Sequence, residues 1–419
     1  MTSRLTTLNN GLKVVTHRMP SVETASVGVW VSAGTRNESA AVNGVAHLLE
    51  HMAFKGTTTR SAADIAEQIE AVGGHLNAYT GRESTVYYAK VMKEDVNLAL
   101  DIIGDILLNA TFDEEELRRE CAVVLQEIGQ AHDTPDDLIF DYFQSVAFPD
   151  QALGRPVLGC PDVVGSMSRQ AITDYMHKAY SSDRMVLAAA GNVDHDALVE
   201  RTQALFGGRP SNGGIECEAA RYAGGEQRDS RDLEQLHLVL GFAGVPYGDD
   251  DFYAATALTT LLGGGMSSRL FQEIRERRGL VYSIYSFASY YADSGLFGIY
   301  AGTGASEAGE LVEAICAEIR RLPGSLLESE IYRTRNQLKA GTLMSLESTG
   351  SLCDQLGQQT LVFGAPIPLE EQVRRIEAVD SEAIARVAHR IFSGKPTVAA
   401  VGPSEQLPAF SDISSMLAG

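Results

Sequence analysis

The sequence of 419 residues has few cysteines and no long apolar run. A membrane-spanning helix needs about 20 consecutive apolar residues, so we expect no membrane span. The five cysteines are scattered without a C-x-x-C pair. This pattern excludes a disulfide scaffold and favours reduced thiols. The first residues, MTSRLTTLNNGLKVV, lack an apolar block followed by a cleavage site, so we expect a cytoplasmic protein.

Basic residues are scarce compared with acidic ones. The chain has 34 Lys and Arg against 55 Asp and Glu, a formal net charge of −21. Nucleic-acid binding depends on neutralising phosphates with Lys and Arg, so nucleic acid is excluded as a partner. The negative charge either attracts basic peptides or simply keeps the chain in solution, and composition does not separate these alternatives.

The sequence contains an internal repeat. The segments that start at Ile172 (ITDYMHKAYSSDRMVLAAAGN) and Ile384 (IARVAHRIFSGKPTVAAVGP) lie 212 positions apart. Each has a helical pattern followed by a short apolar run that is typical of a buried strand. A second pair, ASVGVWVSAG ending at Gly34 and QLHLVLGFAG ending at Gly244, lies 210 positions apart. The two similar offsets predict two homologous domains in tandem.

The domain boundary is expected where the sequence becomes rich in glycine and polar residues. Residues 206–230 are rich in glycine and polar residues, which is typical of a linker. We predict a first domain over residues 1–210, a linker over 211–230 and a second domain over 231–419. Each half combines strand-like runs, such as STVYYAKV and SGLFGIYAG, with amphipathic helices. This mixture predicts α+β domains, each with a mainly antiparallel sheet and helices packed on one face.

The first half contains an H-x-x-E-H motif in the segment GVAHLLEHMAFKGT. The segment should be helical, with Asn43 as its N-cap. His47 and His51 are four residues apart and would lie on one helix face, where two imidazoles suit Zn²⁺. Glu50 would act as general base while water attacks a carbonyl. The motif is typical of inverzincins. The alternative is a half-exposed helix with two ordinary histidines.

A third ligand is expected in the segment FDEEELRRECAVVLQEIGQ, which reads as a helix with an acidic first turn. Glu120 and Glu127 lie about two turns apart on one face. Because the apolar AVVL run lies between them, we expect Glu127 to be buried and to need a metal or a cation. Glu120 would hold a histidine in orientation. The alternatives are that both are surface charges, or that His75 is a ligand.

These motifs resemble those of the pitrilysin/insulinase family of zinc peptidases, in particular its short bacterial members and the β-subunit of the mitochondrial processing peptidase. The segment RECAVVLQEI resembles the family segment with the distal glutamate ligand, about 76 positions after the last histidine. The resemblance implies one zinc per chain with His47, His51 and Glu127 as ligands. It also implies Glu50 as catalytic base and Glu120 as an auxiliary glutamate.

Two further segments resemble substrate-contacting parts of the family. LNAYTGRESTVYY resembles the edge strand that takes up the substrate, which implies binding by Asn77, Ala78 and Tyr79. LLGGGMSSRLFQEIRERRGLVYSIYS contains Arg275 and Tyr282 at the family's spacing of seven. The resemblance implies that both contact the substrate backbone and the tetrahedral intermediate. A phosphate-binding loop is disfavoured because no G-K-[ST] follows the glycines.

The second repeat lacks the metal-binding residues. The positions equivalent to the H-x-x-E-H motif hold Ala257, Thr260 and Leu261. Longer relatives in the family form a clamshell from four such domains, so this chain resembles one half of it. The resemblance therefore implies a homodimer around a chamber, in which Arg275 and Tyr282 act in trans on the partner's zinc.

The function predicted from the sequence is a zinc metalloendopeptidase that cleaves short or unfolded peptides in an enclosed chamber. The alternative is a non-catalytic core or scaffold subunit of a processing-peptidase-like complex. The intact H-x-x-E-H motif favours the enzyme.

Overall fold

The structure is a computed structural model and describes residues 3–213, 215 and 217–418. Its strands are β1 (Arg4–Thr7), β2 (Lys13–Arg18), β3 (Thr24–Val31), β4 (His75–Thr80), β5 (Thr85–Met92), β6 (Met185–Gly191), β7 (Gly225–Asp229), β8 (Leu236–Ala243), β9 (Val281–Tyr290), β10 (Gly295–Thr303) and β11 (Thr397–Val401). The α-helices are α1 (Val45–Ala53), α2 (Ala62–Ala71), α3 (Val96–Asn109), α4 (Glu114–His132), α5 (Pro135–Ala147), α6 (Pro161–Val164), α7 (Arg169–Ala179), α8 (His195–Phe206), α9 (Phe252–Gly263), α10 (Ala308–Arg321), α11 (Glu328–Ser345), α12 (Thr349–Phe363), α13 (Leu369–Glu377), α14 (Ser381–Phe392) and α15 (Phe410–Ala418).

The chain forms two compact units, and neither is continuous in sequence. Unit 1 comprises Met1–Gly129, Arg155–Glu218 and Leu343–Pro368. Unit 2 comprises Gln130–Gly154, Ala219–Thr342 and Leu369–Gly419. In the described part of both units, no helix combines the length and apolar character that a bilayer crossing requires.

Unit 1 is built on a six-stranded sheet of order β1-β2-β6-β3-β5-β4. β2 and β6 are parallel, whereas the other neighbours are antiparallel. The predicted mainly antiparallel sheet is confirmed. β4 is an edge strand, and within the described residues it pairs with β5 alone.

Helices cover both faces of this sheet. Because side chains alternate along a strand, Val27 and Val29 of β3 pack into the core that contains α1 and α3. Trp30 points to the opposite face, where it packs with Leu356 of α12. The prediction of helices on one face was therefore incomplete. α12 reaches this sheet from more than 300 positions downstream of β3, and no local sequence pattern indicates such a contact.

Unit 2 repeats this topology in a five-stranded sheet of order β7-β11-β8-β10-β9. β7 and β11 are parallel and correspond to β2 and β6, and the remaining pairs are antiparallel. α5 packs on one face through Ile139 and Phe143. On α9, which follows β8, the equivalents of the two motif histidines are the buried Ala257 and Leu261. The equivalent topology confirms two homologous α+β domains.

One strand of unit 2 lies within the predicted linker. β7 has the polar sequence GEQRD and is half-exposed along most of its length. It has no apolar alternation, so the sequence did not indicate a strand. Gly214 and Glu216 of the predicted linker lie outside the described residues.

Candidate active site

Helix α1 begins at a buried carboxylate. Its N-cap is Gly44, with a φ of 98° and no side-chain cap, so the prediction of Asn43 as N-cap was wrong. Glu38 instead accepts hydrogen bonds from the backbone N–H groups of Gly44 (2.9 Å) and Ala46 (2.8 Å). Asn43 is buried and donates from Nδ2 to Glu38 at 2.9 Å. Burial raises the pKa of Glu38 to about 7, although these three donors favour its ionised form. Sequence reasoning missed Glu38 because it lies six residues before the N-cap.

α1 and α4 bring three predicted ligands together. One ligand atom each from His47, His51 and Glu127 lies within 4.8 Å of the other two. Glu127 Oε2 is 3.9 Å from His47 Nε2 and 3.6 Å from His51 Nε2. His75 lies exposed on β4 and is not part of this group.

Glu127 is not buried, which contradicts the expectation from the AVVL run. Its side chain is 38% exposed. The helix buries Val124 completely but leaves Val123 exposed, because only one face of α4 packs against the core. The carboxylate therefore lies where solvent or a ligand can reach it.

Glu120 holds His51 from the side away from Glu127. His51 Nδ1 lies 3.0 Å from Glu120 Oε2, and Lys55 Nζ lies 2.7 Å from Glu120 Oε1. Burial raises the pKa of Glu120, but its bonds with Lys55 and His51 outweigh this effect and lower the pKa overall. The carboxylate is ionised and accepts, so the proton of the imidazole lies on Nδ1. In the neutral tautomer with its proton on Nδ1, the lone pair of Nε2 faces Glu127 and can bind a metal.

His47 is kept neutral. Burial and the neighbouring His51 lower the pKa of His47 to about 4. A neutral imidazole is the form that binds a metal. Among the described residues, the buried Nδ1 of His47 has no hydrogen-bond partner.

Glu50 is held by a residue that sequence reasoning missed. Thr80 donates a hydrogen bond of 2.5 Å from Oγ1 to Glu50 Oε2. Burial raises the pKa of Glu50, while the bond from Thr80 lowers it. The alternation of side chains along β4 could have indicated this contact. Thr80 lies two residues after the buried Ala78 and therefore on the same face of the strand.

The predicted substrate-binding residues follow this alternation. Asn77 and Tyr79 point to the outer face of β4 and are exposed, whereas Ala78 points inward. The Tyr79 hydroxyl donates to Asp354 of α12 at 2.8 Å. Tyr88, opposite Asn77 on β5, is also exposed, and its ring centroid is 6.2 Å from that of Tyr79.

Arg275 and Tyr282 form a pair in unit 2. The Arg275 guanidinium lies 5.0 Å from the ring centroid of Tyr282 and 4.7 Å from that of Phe271. Tyr282 is 75% exposed at the start of β9. Arg275 lies in the π-helix Phe271–Arg277, a rare conformation that is frequent at functional sites. Their action on the metal site remains a prediction.

The residues of unit 1 fit a zinc ion. With Zn–N bonds of about 2.0–2.1 Å, the ligand atoms of a tetrahedral site lie roughly 3.3 Å apart. The 3.6 and 3.9 Å between the carboxylate oxygen and the two Nε2 atoms are close to this spacing. Two imidazoles and one carboxylate are a typical donor set for catalytic zinc, which keeps a fourth position open.

Comparisons with known proteins agree with this chemistry. An uncharacterized zinc protease of Rickettsia felis is 41% identical over 399 residues, which cover 95% of this chain and 97% of that protein. The uncharacterized zinc protease YmxG of Bacillus subtilis is 37% identical over 405 residues, covering 96% and 99%. The crystal structure of a protease from Helicobacter pylori has the same fold, with a TM-score of 0.91, 23% identity and coverage of 96% and 99%.

Family descriptions match most of the chain. Residues 13–161 match "Insulinase (Peptidase family M16)", and residues 166–338 match "Peptidase M16 inactive domain". The first match includes the three residues that can hold zinc. The second covers α9, where the equivalents of the motif histidines are apolar. The chain therefore belongs to the insulinase family, peptidase family M16.

Proposed function

We propose that the protein is a zinc-dependent endopeptidase that cleaves short or unfolded peptides. The observation that carries the proposal is the convergence of His47, His51 and Glu127. Glu50 lies on α1, the helix that also contains the two histidines. A zinc ion held by His47, His51 and Glu127 would polarise the peptide carbonyl and make water more acidic.

Glu50 has the role of general base. Its carboxylate removes a proton from water while the water oxygen forms a bond with the peptide carbonyl carbon. The same proton then passes to the amide nitrogen as the C–N bond breaks, which yields a carboxylic acid and an amine. The acid then loses its remaining proton to solvent, which leaves a carboxylate. Thr80 keeps the carboxylate of Glu50 in place through its 2.5 Å hydrogen bond.

The peptide binds as an additional strand beside β4. Edge strands have unpaired backbone groups that can bind an extended peptide, and β4 is the edge strand adjacent to Glu50 through Thr80. Asn77, Ala78 and Tyr79 would contact this strand. An extended backbone is available only in a short or unfolded substrate, which supports the proposed substrate class.

Two copies of the chain would enclose the substrate, and Arg275 and Tyr282 of one copy would act at the other copy's zinc. The resemblance to longer four-domain relatives and the exposure of Tyr282 support this arrangement. An arginine and a tyrosine can both donate hydrogen bonds to a developing oxyanion. A reducing, cytoplasmic location is supported by the five scattered cysteines, which form no C-x-x-C pair.

The proposed reaction is tested with Glu50→Gln. Zinc content and cleavage of an unfolded peptide are measured for the wild type and the variant. We expect one tightly bound zinc in both proteins and chelator-sensitive cleavage only in the wild type. Full activity of the variant would refute Glu50 as the base. A wild type that cleaves no unfolded peptide would favour the scaffold alternative.

Action in trans is tested by co-expressing Glu50→Gln with Arg275→Ala. In a mixed dimer, one site combines the intact Glu50 of one chain with the intact Arg275 of the other. We expect each variant alone to be inactive and the mixture to recover part of the activity. An inactive mixture with mass-verified mixed dimers would instead indicate action within one chain.

A further inference from the structure

A buried side chain from outside α1 accepts hydrogen bonds from backbone N–H groups at the start of this helix. Glu38 is 4% exposed. Its Oε2 accepts from Gly44 N and Asn43 Nδ2, both at 2.9 Å, and its Oε1 accepts from Ala46 N at 2.8 Å. The first N–H groups of a helix have no partner within the helix, so the carboxylate fixes where α1 begins. The residue after Ala46 is His47.

Other close contacts hold the same point of the chain. Asn43 is fully buried and also donates from Nδ2 to Pro156 O at 3.2 Å. A Cβ atom on Gly159 would lie 2.6 Å from Gly44 Cα, so these two backbones approach as closely as glycine permits. The segment before α1 is therefore packed on several sides, and the carboxyl group of Glu38 lies at its centre.

We infer that Glu38 is a positioning residue for the metal site. By fixing the start of α1, it sets the direction in which His47 and His51 face Glu127. The ligand side chains of a metal site must be held within about 0.5 Å of the geometry that binds the metal. A small tilt of the first turn would change the distances of 3.9 and 3.6 Å between the imidazoles and the carboxylate. This inference rests on the proposed zinc site.

The test compares Glu38→Gln with a matched buried glutamate. In Glu38→Gln an amide NH₂ replaces one oxygen and faces at least one N–H donor. Zinc affinity is measured by competition with a chromophoric chelator, and coordination by the visible spectrum of the Co²⁺-substituted protein. We expect zinc affinity to fall on the order of tenfold and the Co²⁺ bands to change. The control is Glu318→Gln in unit 2, where Glu318 is 2% exposed and paired with Arg321. It should keep wild-type affinity and spectrum.

The outcomes separate positioning from general stability. Wild-type affinity and spectrum in Glu38→Gln, with a loss of stability like that of Glu318→Gln, would overturn the inference. If Glu38→Gln does not fold, Asn43→Ala removes the Nδ2 bonds to Glu38 and to Pro156 O and leaves both backbone bonds to Glu38. This variant should lose zinc affinity by a smaller factor, and an unchanged affinity would overturn the inference.

The inference and the proposed function fail differently. A wild-type protein that binds no zinc defeats both. A wild type that binds zinc and cleaves peptides, together with variants of unchanged affinity, defeats only the role of Glu38.

Discussion

Nδ1 of His51 lies 3.0 Å from Oε2 of Glu120, while Nε2 of the same ring lies 3.6 Å from Glu127. One imidazole thus has a carboxylate on either side, and the two carboxylates have different surroundings. Glu120 is buried and paired with Lys55, whereas Glu127 is 38% exposed. This asymmetry lets Glu120 orient the ring and leaves Glu127 free to bind the metal.

Glu120→Gln should weaken zinc binding without removing it. The amide no longer provides a charged acceptor for His51 Nδ1, and the loss of such support typically costs 10- to 100-fold in metal affinity. Chelator competition measures the change. Glu114→Gln, an exposed glutamate on the same helix, should bind zinc like the wild type. Equal affinity in both variants would contradict the orienting role.

Glu127→Gln should reduce zinc affinity by more than about 100-fold, because a ligand is lost rather than its support. The folded structure should remain, since the side chain of Glu127 is partly exposed. Metal analysis after dialysis measures the zinc content, and circular dichroism checks the fold. Retention of one zinc per chain would mean that another acidic group completes the site.

Thr80→Val should move the acidic limb of the kcat/KM profile to higher pH. Burial raises the pKa of Glu50, and the hydrogen bond from Thr80 opposes this by stabilising the ionised form. Without the hydroxyl, the pKa of Glu50 rises further, so the base is ionised only at higher pH. A pH–rate profile at saturating zinc measures the shift. Thr80→Ser keeps the hydroxyl and should retain the wild-type limb; identical profiles for both variants would contradict the effect.

The sequence predicted those features that depend on local patterns. Helix periodicity placed His47 and His51 on one face, and the repeat offsets indicated two domains of equivalent topology. Contacts between distant segments escaped prediction. Glu38 caps α1 from outside the helix, and Thr80 reaches Glu50 only because β4 packs beside α1. The exposure of Glu127 depends on which face of α4 packs inward, and apolar neighbours in sequence did not reveal it.

α12 should be sensitive to the smallest increase in side-chain volume at Gly357. A Cβ atom there would lie 2.3 Å from Trp30 Cδ2, so the helix or the indole must move. Overpacking of this kind typically costs about 1–3 kcal/mol of the free energy of unfolding.

Gly350→Ala is the matched control on the same helix, because the atom nearest to a Cβ there would lie 3.8 Å away. Alanine at this position should stabilise the helix by up to about 1 kcal/mol. Trp30 is the single tryptophan of the chain, so its fluorescence during urea unfolding reports this contact directly. We expect the midpoint to fall for Gly357→Ala and to stay or rise for Gly350→Ala. Equal midpoints for Gly357→Ala and the wild type would show that α12 does not pack closely on Trp30 in solution.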